Sequence, residues 1–102
     1  MDNKVLCSAS RYTQKYYLNE EFRGLPQLVK DELKIMCVLF TEEVGGVIIL
    51  LFDENGSLKI ITQADEDDAA FDDIGCHLKV KQLQVEKKEF FNQLEEYYDA
   101  FF

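Results

Sequence analysis

The sequence predicts an α+β fold in which two helices flank an antiparallel β-hairpin. Three observations carry that prediction. Apolar residues recur every three or four positions over residues 26–44, two apolar runs face each other across Asn55-Gly56, and a second helical pattern follows an acidic segment.

Taken in order, residues 3–24 are rich in tyrosine (Tyr12, Tyr16, Tyr17) and end in Asn19-Glu20-Glu21-Phe22-Arg23-Gly24. Two readings stay open for them. Val5 and Leu6 begin a short strand, or Tyr12, Tyr16 and Phe22 form an aromatic arm laid across the core. From Pro26 onward the pattern is helical. Proline suits a first helical turn because its missing N–H would have no intrahelical partner there, and Asp31 and Glu32 complement the positive end of the dipole. Leu28, Val29, Leu33, Met36, Cys37, Phe40 and Val44 form one stripe, and Gly45-Gly46 supplies the stop. Ile35, Val38 and Leu39 lie off the stripe, which predicts a helix buried on more than one side.

Val47-Ile48-Ile49-Leu50-Leu51-Phe52 reads as a strand, followed by a turn at Asn55-Gly56, where both residues tolerate positive φ. A second strand returns over Leu58-Lys59-Ile60-Ile61-Thr62-Gln63-Ala64. Six carboxylates between Asp65 and Asp73 then straddle the start of a long helix, which begins within residues 69–76 and runs to about 98. Its apolar side holds Leu78, Leu83, Phe90, Phe91, Leu94, Tyr97, Tyr98 and Phe101, with Lys79, Lys81, Lys87 and Lys88 solvated.

The chain of 102 residues has the size of one domain, 1–102, and no linker or repeat divides it. Its formal charge of −9 opposes binding to nucleic acid or an anionic membrane, where neutralising phosphates supplies much of the affinity. Three widely spaced cysteines, Cys7, Cys37 and Cys76, fit reduced thiols. The N-terminus lacks the charged and apolar regions of a secretory signal, so the expected location is the cytoplasm.

Recognisable chemistry is sparse. The acids at 65–73 lack the turn glycine and distal glutamate of a calcium loop, and capping a helix accounts for them. Cys76 and His77 are neighbours, about 100° apart on a helix, and so are poorly placed as nucleophile and base. Paired zinc-ligand spacings are absent. Gly45-Gly46 follows a helix and precedes a strand, the reverse of a phosphate-binding loop. No catalytic, cofactor or metal-binding residue is assigned, and no cofactor is expected.

What the pattern does demand is cover. Side chains alternate along a strand, so Val47, Ile49 and Leu51 face one way and Ile48, Leu50 and Phe52 the other. Burying each contributes roughly 1.5–3 kcal/mol. One helix on each face, the N-terminal segment folded over the second face, or a second copy of the chain would each satisfy the strand. The expected reading is a non-enzymatic interaction or adaptor module acting as a homodimer with an unidentified protein partner. Its expected interface residues are Ile48, Leu50, Phe52, Leu39, Tyr97 and Phe101. The alternative is a module binding a small ligand or cation through the acidic 65–73 segment or a tyrosine-lined cavity.

Several segments carry a resemblance: Lys15-Tyr16-Tyr17-Leu18-Asn19, the stretch from Asp31 to Gly46, Phe71-Asp72-Asp73-Ile74-Gly75, and Lys81-Gln82-Leu83-Gln84. Together they resemble an uncharacterised family of small proteins from anaerobic gut bacteria. The resemblance implies a bacterial cytosolic protein and carries no activity or site.

Overall fold

A computed structural model describes residues 3–102. It is α+β, as the sequence predicts. Strands β1 (Lys4–Ser10), β2 (Lys15–Leu18), β3 (Val47–Phe52) and β4 (Leu58–Gln63) form one antiparallel sheet in the order β2-β1-β3-β4. Helices α1 (Gln27–Val44), α2 (Asp73–Glu86) and α3 (Lys88–Phe101) cover one of its faces.

The N-terminal segment is settled in favour of strand, and it supplies two of them. β1 pairs with β3 from Ser10–Val47 to Lys4–Phe52, which makes β1 and β3 the central strands. A bulge between Val5 and Cys7 turns both Leu6 and Cys7 inward, and both are fully buried. A 3-10 turn (Glu20–Phe22) follows β2. Asn19 holds it by accepting from the Glu21 N–H at 3.0 Å and donating to the Val5 carbonyl at 2.7 Å, which seats Phe22 in the core.

α1 begins one residue later than predicted, with Pro26 in the N-cap position. It buries Leu33, Met36, Cys37 and Phe40 against the sheet. The expectation of burial on a second side does not hold, since Ile35 and Leu39 are exposed and Leu28, on the predicted stripe, is 83% exposed. α1 ends at Gly45 and Gly46, both at positive φ. A side chain at Gly46 (φ 68°) would collide with the Gln63 carbonyl oxygen and the Phe71 ring, so the chain can enter β3 here only through glycine.

The β3–β4 hairpin uses positive φ at Gly56 alone. The Gly56 N–H donates to the Asp53 carbonyl and the Asp53 N–H to the Ser57 carbonyl, both at 2.9 Å. The Asp53 carboxylate collects the N–H groups of Asn55 and Ser57. This is a turn closed by a glycine bulge, one residue longer than a two-residue loop.

The long second helix is broken at Lys87 (φ −106°, ψ 18°) into α2 and α3. A straight helix over 73–101 would measure about 44 Å, against about 20 Å for a six-residue strand. No proline or glycine causes the break, so packing sets it. Before it, Lys79 and Lys87 pair with Glu43 and Glu32 of α1 at 2.8 and 3.1 Å. Beyond it, Tyr98 reaches the far end of the sheet. There Phe22, Phe52, Tyr98 and Phe102 stack with centroid separations from 4.2 Å (Phe52–Tyr98) to 6.4 Å (Phe22–Tyr98). Lys4 lies over the Phe102 ring at 5.4 Å.

At the centre of the core, the Cys7 and Cys37 sulfurs sit 3.9 Å apart, both thiols free and buried. The neighbouring Cys7 thiol and burial together push the Cys37 thiol far above its ordinary value, so it stays protonated in the folded chain. In the unfolded chain it ionises near pH 8.5. The folded state then holds the extra proton, and stability falls as pH rises above about 9, by about 1.4 kcal/mol per pH unit from this group. Urea titrations between pH 8 and 10.5 should show that slope reduced in Cys37→Ala. Gly46→Ala should lower stability by about 2 kcal/mol or more in the same assay, from positive φ and the collision together.

Candidate interaction surfaces

The register of the sheet sorts every strand residue to one of two faces. Under the helices lie Cys7, Ala9, Tyr16, Leu18, Ile48, Leu50, Phe52, Leu58, Ile60 and Thr62. Ile48, Leu50 and Phe52 are fully buried there. Those three expected interface residues therefore cannot touch a partner. They are the core of the chain itself, because all three helices cover their side of the strand.

On the opposite face no element packs among the described residues. Tyr17, Ser8, Ile49 and Ile61 form a row across all four strands, flanked by Val5–Leu51–Lys59 and by Ser10–Val47–Gln63. Tyr17 is 53% and Ile61 39% exposed, while Val5, Val47, Ile49 and Leu51 are half-buried by their cross-strand neighbours. Six apolar residues thus form a contiguous patch rimmed by Lys59 and Gln63. Four strands about 4.8 Å apart and at most about 20 Å long give the whole face, polar residues included, a footprint of at most about 400 Å². The largest apolar patch on a soluble chain is commonly of this order and is often a functional surface. The free edge of β4 is partly blunted, because the Leu58 N–H donates to Glu95 of α3 at 2.7 Å.

The remaining expected interface residues divide between two places. Leu39 lines a groove of about 580 Å³ between α1 and α2, with Ile35, Met36, Phe40 and Leu83 as its apolar lining. The Lys79–Glu43 and Lys87–Glu32 ion pairs bridge the two helices along it. Tyr97 and Phe101 lie one turn apart on α3 with ring centroids 4.7 Å apart, and Tyr97 is half-buried beside Leu25, Pro26 and Val29. Phe101 is 70% and Phe102 49% exposed, whereas Tyr98 is half-buried and stacks on Phe52.

The acidic segment is structured by its own backbone and by Tyr12. The Tyr12 hydroxyl donates to Asp68 at 2.7 Å and accepts from the Asp65 N–H at 2.9 Å. Asp72 caps α2 by accepting from the Gly75 N–H at 3.0 Å. Among the described residues no three His, Cys, Asp or Glu side chains are placed to hold a metal ion. Cys76 is buried and His77 exposed, as their angular separation on α2 dictates. The tyrosines do not gather around one cavity, for Tyr16 and Tyr97 line separate depressions. The Tyr16 oxygen is buried beside the Cys7 thiol without a hydrogen bond, and burial raises its pKa. No helix among the described residues is long and apolar enough to cross a membrane.

Residues 3–102 match the model of a family of unknown function, DUF6145. No curated protein and no solved structure matches the chain.

The two faces of the sheet should respond differently to substitution. Ile48→Ala, in the core, should cost about 2–4 kcal/mol in urea titration. Gln63→Ala, at the exposed rim of the open face, should stay within about 0.5 kcal/mol.

Proposed function

The chain belongs to that family of unknown function, so its role has to be argued from its own surfaces, and we propose that it is a non-enzymatic protein-interaction module acting as a homodimer. The observation that carries this reading is the open apolar face of the sheet. Of the three ways to cover β3, the helices take one face together and the N-terminal segment joins the sheet edgewise, which leaves a second copy for the other face. Two such faces pack about 10 Å apart around a two-fold axis, each presenting the same residues to the other. Ile49 and Ile61, paired across β3 and β4, form the centre of that contact.

Dimerisation through the sheet leaves the helical side free. Leu39 in the α1–α2 groove and the Tyr97–Phe101 pair are then the surfaces offered to a second protein, which is the arrangement an adaptor needs. The reading places the chain in solution in the cytoplasm, with no role for nucleic acid, in keeping with its charge of −9.

Size-exclusion chromatography with light scattering at micromolar concentration should give twice the 11.9 kDa chain mass for the wild type. The Ile49→Lys/Ile61→Lys variant should elute as a folded monomer. A wild-type chain that stays monomeric at these concentrations rejects the dimer.

A further inference from the structure

We propose that the groove between α1 and α2 receives an amphipathic helix of a partner protein, its apolar face seated on Ile35, Leu39 and Leu83 and its basic end beside Asp31 and Glu86. Such a partner presupposes the reading of the chain as an interaction module, but it does not require two copies to join.

α1 carries more apolar surface than its own core uses. Leu33, Met36, Cys37 and Phe40 already make the contact with the sheet. Leu28, Ile35 and Leu39 form a second row, spaced by seven and four residues and therefore within about 40° of one another around the helix. All three are more than half exposed. This row edges the groove of about 580 Å³, whose floor is the buried Met36, Phe40 and Leu83. The Glu43–Lys79 and Glu32–Lys87 ion pairs set α1 and α2 antiparallel along it. From Leu28 to Glu43 it follows α1 for about 22 Å, the length of about 15 helical residues. An extended segment would need a free sheet edge for its backbone groups, and two helices offer none. A docked helix satisfies its own backbone and asks only for apolar contact at i, i+4 and i+7.

The rim sets the sign of the partner. Asp31, Glu32, Glu43 and Glu86 line the groove with Lys79 and Lys87, and each lysine is taken up by a glutamate of α1. Asp31 and Glu86 are left over. Both are exposed, and they accept from the neutral side chains of Gln27 and Gln82 at 2.8 and 2.9 Å. Neither has a cation within 4.0 Å among the described residues. Because the helices are antiparallel, both acids flank the Glu32–Lys87 pair, and the surplus negative charge lies at one end of the groove. A second copy of the chain would bring the same surplus. A helix with lysine or arginine in its last turn opposes it, in a position that also complements that helix's own dipole. The partner then runs antiparallel to α1.

The test is an amide-resolved NMR titration of the full chain with two acetylated, amidated peptides of about 16 residues. Both carry leucine at i, i+4, i+7 and i+11 among alanine and glutamine. One has two lysines in its last turn, the other two glutamates. Saturable shifts should be confined to residues 28–43 and 79–87, and the lysine peptide should bind about fivefold tighter or more at low salt. Ile35→Gln/Leu39→Gln, both exposed positions, should keep the dispersed spectrum and weaken the lysine peptide about tenfold or more. Asp31→Asn/Glu86→Gln should remove the preference for lysine, whereas Glu66→Gln/Asp99→Asn, with the same change in net charge, should retain it. The Ile49→Lys/Ile61→Lys variant should still bind the lysine peptide. Absence of saturable shifts, or binding untouched by Ile35→Gln/Leu39→Gln, overturns the groove and leaves a dimer seen by light scattering standing. A monomeric wild type that binds the lysine peptide through these residues does the reverse. Equal affinity for the two peptides overturns the basic partner.

Discussion

The architecture depends on β3, a central strand that is apolar on both faces. Hydrogen bonding to β1 and β4 satisfies its backbone on both edges, so the only freedom left is which element covers each face. The helices resolve half of that problem. α1 lies across β1 and β3 with Leu33, Met36, Cys37 and Phe40 turned inward, and α2 and α3 extend the cover over β4 and the aromatic end of the sheet. Because they share one side, the sheet is a two-layer structure with an apolar back.

Most of the element pattern was legible from residues alone. The α1 stripe, the glycine stop, the β3–β4 hairpin and the capped start of α2 each rest on local rules of spacing, turn chemistry and dipole complementarity, and they stand to within a few residues. β1 was legible only as a possibility, because Ser8, Ala9 and Ser10 lack the branched and aromatic side chains that mark a strand. Its identity comes from the ladder with β3, which runs from Ser10–Val47 to Lys4–Phe52 and so is remote in sequence. The break at Lys87 was not legible either, since it rests on ion pairs with α1 and an aromatic stack with β3, and on no helix-breaking residue.

The interface shows what a period of two can and cannot tell. Alternation along Val47–Phe52 establishes that there are two apolar faces, but either set can be the covered one until the helices are placed. The expected residues fell on the covered set, and the exposed set is its complement, Val47, Ile49 and Leu51. Likewise, Tyr97 and Tyr98 are adjacent in sequence and point about 100° apart on α3, one toward Phe101 and one onto Phe52.

The contact between the Lys4 ammonium and the Phe102 ring brings the first described strand and the last helix to the same pole of the molecule. Any polypeptide attached before β1 or after α3 therefore departs from one end, beside the stack of Phe22, Phe52 and Tyr98. Fusions at either terminus would leave the opposite pole, with the Tyr12–Asp68 contact, unobstructed. A short linker could join the two ends and allow the chain to be reopened in the acidic loop.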